Sequence, residues 1–154
     1  MYFTLLTIHS LFRWLVLISL VYAIYKAFRG YTTNSPFSKT DNAVRHWTAT
    51  ITHIQFTIGT ILYVISPVVK YLWKNFSTGV HQQEPSFFGV IHFALMMVAV
   101  TVLTIGSAKA KRNTVDKEKF GTMLIWFSVA LIIILIAIPW PFSPLANRPY
   151  FRGI

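Results

Sequence analysis

The sequence predicts an all-α membrane protein, a four-helix transmembrane bundle of up-down connectivity, and three observations carry that prediction. Of the 154 residues, 55% are hydrophobic and only 12% are charged, about half the charged share of an ordinary soluble domain. The apolar residues fall in four runs, each about 20 residues or more and so long enough to cross a hydrocarbon core roughly 30 Å thick. The basic residues behind the net charge of +10 collect at the joints between runs rather than along them.

The first run is about Tyr2 to Tyr25. No basic segment opens it and no A-x-A-like cleavage site follows it, so it reads as a retained span rather than a signal peptide. Gly30 to Thr40, with turn residues around Pro36 and no periodicity, reads as a polar loop. The second run is about His46 to Val69, and Ser77 to Pro85 is the polar counterpart at the opposite end. The third run is about Phe87 to Ala108 and the fourth about Phe120 to Pro139. After Ala137 the chain reads Ile-Pro-Trp-Pro-Phe-Ser-Pro, and prolines without backbone donors end the helix there. Trp140, Phe142, Tyr150 and Phe151 are expected at the membrane interface, where amphipathic rings favour the headgroup level. The chain, residues 1–154, is read as one domain.

Lys26, Arg29, Lys39 and Arg45 separate the first two runs, and Lys109, Lys111, Arg112, Lys117 and Lys119 separate the last two. Those nine share one side; Lys70, Lys74, Arg148 and Arg152 lie on the other, nine against four. The positive-inside rule makes the nine-residue side cytoplasmic and puts both termini on the outer, periplasmic side of a bacterial inner membrane. The same rule accounts for the positive charge without a nucleic-acid partner.

The absence of cysteine excludes thiolate metal sites, disulfides and covalent haem attachment. No phosphate-loop, dinucleotide, zinc-protease or nucleophile-elbow motif is present. All four acidic residues, Asp41, Glu84, Asp116 and Glu118, lie outside the runs, which argues against an ion-coupled pump. Nothing in the residues requires a catalysed reaction.

Ionisable groups within spans are costly and usually functional, and here they reduce to His9, Arg13, His53 and His92. At 1.5 Å per residue, His9 and His92 each lie about 6–8 Å to the outer side of their span centres, whereas His53 lies about 7 Å to the inner side. Ile8-His9 precedes Lys26-Ala27-x-Arg29 by the same step as Ile91-His92 precedes Lys109-Ala110-x-Arg112, so both parallel spans carry a histidine at one depth. Facing histidines at equal depth can hold a haem iron in a bundle core, with Gly89 leaving room and Met96 packing on the ring. A hydrogen-bonded histidine pair that only joins helices is the alternative. Arg13, one turn from His9, needs a partner: backbone carbonyls, the water interface, another subunit or a haem propionate. His53, in a seam with Thr50, Thr57 and Thr60, reads as an interhelical histidine, a ligand to a second haem, or a quinone contact together with Gln55. A copper or zinc site on histidines alone is a thinner possibility.

These residues resemble the small four-span bacterial membrane proteins described as cytochrome b-like. The likeness rests on His9-Ser-Leu-Phe-Arg13-Trp14, His53-Ile-Gln55 with Gly59 and Leu62-Tyr63, His92 with Met96-Met97, Thr104-Ile-Gly106-x-Ala108-Lys109, and Ile138-Pro-Trp-Pro-Phe142. It covers nearly the whole chain. Ile91 stands before His92 where relatives would carry a carboxylate. The resemblance implies non-covalently bound haem b and electron transfer in the membrane, with His9, His53 and His92 as the family-like histidines. The expectation is a bis-histidine haem on His9 and His92, Arg13 beside a propionate, His53 as an alternative ligand, and exchange with quinone or a redox partner protein. The competing expectation is a cofactor-free accessory subunit of a larger complex, or a homo-oligomer held together by the same polar residues.

Overall fold

The computed structural model describes residues 1–146, 148 and 149. Tyr150, Phe151 and Arg152, given interface and charge roles above, lie outside the described residues. Every regular element among the described residues is helical. α1 spans Tyr2–Thr33, α2 Lys39–Ile65, α3 Pro67–Lys74, α4 Phe76–Gly79 and α5 Gln83–Ser86. A π-helical turn, Phe87–Ile91, runs into α6, His92–Arg112, and α7, Asp116–Ala137, closes the order. Four of these helical stretches are long and apolar enough to cross a membrane, so the chain is an all-α, multi-pass membrane protein.

Three boundaries differ from the sequence reading, each for a local reason. The helix does not stop at Gly30 but continues to Thr33, because Gly30 is buried where a Cβ would collide with the ring of Phe120. Asn34 then ends α1 at φ 50°, a left-handed cap that Asn tolerates, donating its N–H to Gly30 O. The expected loop also ends early, because Ser38 and Asp41 form a reciprocal cap on α2: Asp41 N–H donates to Ser38 Oγ at 3.2 Å and Ser38 N–H to Asp41 Oδ2 at 3.0 Å. The second span does not run on to Val69 but breaks at Ser66, held extended (ψ 126°) by the proline that follows it. Pro67 then occupies the first turn of α3, where its missing N–H costs nothing. Within Ser77 to Pro85, read as loop, parts of α4 and α5 are short helical turns.

α1 packs on α2 and α7, and α6 packs on the same two helices, so α1 and α6 face each other across the diagonal of the bundle. The half nearer the α1–α2 and α6–α7 connections, here called the basic end, is solid. Ala23, Ala27 and Gly30 bring α1 close to α7, and Phe120, Met123 and Phe127 fill the space between helices. Gly106 does the same for α6, with Trp126 lying where its Cβ would be. Large apolar side chains such as Ile18, Val64, Ile125 and Ile132 point outward, which in a bilayer is their apolar environment. At the opposite, terminal end, α3 to α5 and the proline-rich tail cover the bundle and leave a hollow beneath them.

Candidate functional site

That hollow is a cavity of about 340 Å³ in the terminal half, walled by α1, α2, α6, α7 and the tail. His9 and Arg13 enter it from α1, Gln55 and Gly59 from α2, His92 and Met96 from α6. His9 and His92, paired above by depth, therefore come from diagonal helices to one space.

His92 is held by a consequence of the tail prolines. In a helix each carbonyl accepts from the N–H four residues on, and Pro139 and Pro141 have none to give. The carbonyls of Leu135 and Ala137 are thereby released. Trp140 Nε1 donates to the first at 2.8 Å, and His92 Nδ1 lies 2.7 Å from the second. A carbonyl only accepts, so Nδ1 carries the proton and the neutral ring keeps its lone pair on Nε2. The π-helical turn just before His92 and the rings of Phe87 and Phe88, 5.6 and 6.1 Å away, fix the imidazole further.

His9 sits between two residues one turn apart on α2. Gln55 Nε2 donates to the His9 backbone carbonyl at 2.9 Å and lies 3.5 Å from the ring Nε2. On the other side the ring rests over Gly59, where a Cβ would stand 3.0 Å from His9 Cε1. His9 Nδ1 and Gln55 Oε1 are both buried with no hydrogen-bond partner among the described residues.

Arg13 is packed by aromatics: its guanidinium carbon is 5.3 Å from the Trp14 ring centre and 5.9 Å from that of Trp140. A second arginine, which the sequence reading counted only as tail charge, also lines the cavity. Arg148 pairs with Glu84 and lies 5.2 Å over Phe88, while Gln83 Nε2 donates to Pro144 O at 2.7 Å and pins the tail above the opening. The described lining contains two arginines and two histidines and no carboxylate. Nothing local in the sequence marks Arg148, because its neighbours are set by the fold of the tail.

Comparison with family models, with curated proteins and with solved structures finds no match.

His53 does not line the cavity. It is exposed on the α2–α6 face, with Nε2 2.8 Å from Thr104 Oγ1. The Thr104 hydroxyl donates to Val100 O at 2.6 Å, so its oxygen accepts from His53 Nε2–H. Gly89 also has a different role from the one expected, since the space beside it is taken by Leu72. The cavity's glycine is Gly59. Among the described residues no three His, Asp or Glu side chains gather as a bare metal ion would require, so the copper or zinc alternative gains no geometry.

Proposed function

We propose that the chain is a membrane-embedded b-type cytochrome, carrying electrons through a non-covalent haem held between His9 and His92. The observation that carries the reading is His92: its Nδ1–H is tied to the Ala137 carbonyl, so Nε2 is a lone pair in a cavity shared with a histidine from the diagonal helix. Metal-ligating histidines usually donate their second nitrogen to a carbonyl or carboxylate, which sets the tautomer and raises ligand basicity. The buried Nδ1 of His9, without a hydrogen-bond partner among the described residues, and the largely apolar cavity that both histidines line support the reading.

Haem supplies a reversible one-electron couple. The protein's part is to hold, insulate and tune. His9 and His92 would hold the iron. Arg13 would offset propionate charge, and the apolar walls would keep water from the ring. Met96 offers a polarizable side chain to its face. A quinone in the bilayer or a redox protein at the terminal end is the exchange partner in this reading. His53 joins α2 to α6 rather than serving as a ligand.

The excess of Lys and Arg at the basic end places the termini, on this reading, on the outer face of a bacterial inner membrane. Because the chain has no cysteine, single cysteines introduced as Thr78→Cys and Asn113→Cys test the topology with an impermeant maleimide on intact cells. Labelling at 78 alone is the expected result.

The function is tested by a dithionite-reduced minus oxidised spectrum of detergent-purified protein from a haem-replete host. A sharp haem b band that is lost in His9→Ala and His92→Ala and kept in His53→Ala is expected. A folded protein without the band would move the assignment to a cofactor-free accessory subunit. Loss of the band in His53→Ala alone would overturn the ligand pair.

A further inference from the structure

We infer that Gln55 is the positioning residue for His9, fixing which ring nitrogen is presented to the cavity, as the Ala137 carbonyl does for His92; this rests on the haem reading above. The two histidines are asymmetric in the structure. His92 has a fixed tautomer through a backbone acceptor. Among the described residues the side chain within hydrogen-bonding reach of the His9 ring is the Gln55 amide.

That amide has one orientation. The His9 backbone carbonyl accepts a proton at 2.9 Å, so the atom facing it is Gln55 Nε2 and the other end of the amide is the oxygen. The second N–H of Nε2 is directed towards His9 Nε2 over a long 3.5 Å. If His9 Nε2 accepts there, its proton resides on Nδ1. That nitrogen, however, is buried without an acceptor, and Gln55 Oε1 is buried without a donor. An unmatched donor and an unmatched acceptor thus sit on two residues already in contact. Turning the imidazole so that a ring N–H meets Gln55 Oε1 satisfies both atoms and leaves the other nitrogen as a lone pair for the cavity.

Gly59 makes that turn sterically open. It lies four residues from Gln55, hence on the same face of α2, and the His9 ring rests against its bare Cα with Cε1 3.0 Å from where a Cβ would stand. A side chain there would lock the ring. Gln55 and Gly59 together form a cradle in which His9 keeps its backbone anchor while its ring changes partners.

The test compares wild type, Gln55→Leu, Gln55→Glu and Gly59→Ala in detergent, each checked for an unchanged melting profile. The readouts are haem affinity by titration of the apoprotein and the midpoint potential of the loaded protein. Gln55→Leu, which keeps the bulk and removes both hydrogen-bonding atoms, is expected to weaken haem binding by about 10–100-fold, the usual cost of losing such a ligand partner. Gln55→Glu offers a carboxylate to the ring N–H; it is expected to retain haem, to lower the midpoint potential, and to make that potential pH-dependent. A residue that only fills space would give no such pH dependence. Gly59→Ala is expected to weaken binding with little change in potential. A loaded wild type whose Gln55→Leu twin matches it in affinity and whose Gln55→Glu twin matches it in potential would overturn the Gln55 inference and leave the haem reading intact. A wild type that takes up no haem would overturn both.

Discussion

The two halves of the bundle use the same kinds of residue to opposite effect. At the basic end no buried side-chain nitrogen or oxygen among the described residues lacks a hydrogen-bond partner. Arg45, only 5% exposed, donates from Nη1 to Ser107 Oγ at 2.6 Å and from Nη2 to Asn42 Oδ1 at 2.9 Å. Asp41 caps α2 and pairs with Lys26 at 2.9 Å. Around them Phe120 and Phe127 close the gaps left by small residues on α1. At the terminal end histidine, glutamine and arginine surround space instead, and His9 Nδ1, Gln55 Oε1 and Arg148 Nε are buried without partners among the described residues. Burying an unsatisfied polar atom costs about 1–3 kcal/mol.

The largest expected effect breaks that comparison by making the solid half hollow. Phe120 is 1% exposed and fills the notch at Gly30. Phe120→Ala is expected to destabilise the protein by about 3–5 kcal/mol in unfolding titrations, whereas Met96→Ala, whose side chain already borders empty space, costs less than about 2 kcal/mol. Equal losses from both substitutions would mean that the two halves are packed alike.

A smaller effect concerns polar pairing. Arg45→Ala strips partners from Ser107 and Asn42 at once and is expected to cost about 1–3 kcal/mol, without altering ligand binding at the far end. A change in the visible spectrum of Arg45→Ala would show that the halves are coupled.

The fold was legible because membrane insertion is read from length and hydropathy, both local properties. What misled was local in a finer sense: the Ser38–Asp41 cap, the Gly30–Phe120 fit and the Ser66-Pro67 break moved helix ends by several residues without changing the number of spans. Equal depth for His9 and His92 was readable from the matching step to lysine on parallel spans, whereas that both line one cavity came only from the fold. Arg148 was not readable, because it reaches the cavity through a tail whose path depends on Gln83 and Glu84. The anchoring of His92 lies between these cases. Pro139 and Pro141 announce two unclaimed carbonyls four residues earlier, and only the fold shows that Trp140 and His92 claim them. Gly89 and Gly59 show the limit of composition: both make room, but only the structure says for what.

The smallest expected effect sharpens the contrast between His92 and His53, two intramembrane histidines that each make one short hydrogen bond. His92 donates to a carbonyl that prolines have left vacant, and its second nitrogen belongs to the cavity lining. His53 donates to a threonine hydroxyl on the exposed α2–α6 face, where both helices already have complete backbone ladders. Removing it deletes one interhelical bond, and such bonds in membrane proteins average about 0.6 kcal/mol. His53→Ala is therefore expected to lower stability by less than about 1 kcal/mol. Thr104→Val should lose the same interhelical bond, and the double variant should cost no more than Thr104→Val alone, because the His53–Thr104 bond can be lost only once. Additive losses would mean that His53 has a second partner, and the obvious place to seek it is the lipid-facing nitrogen.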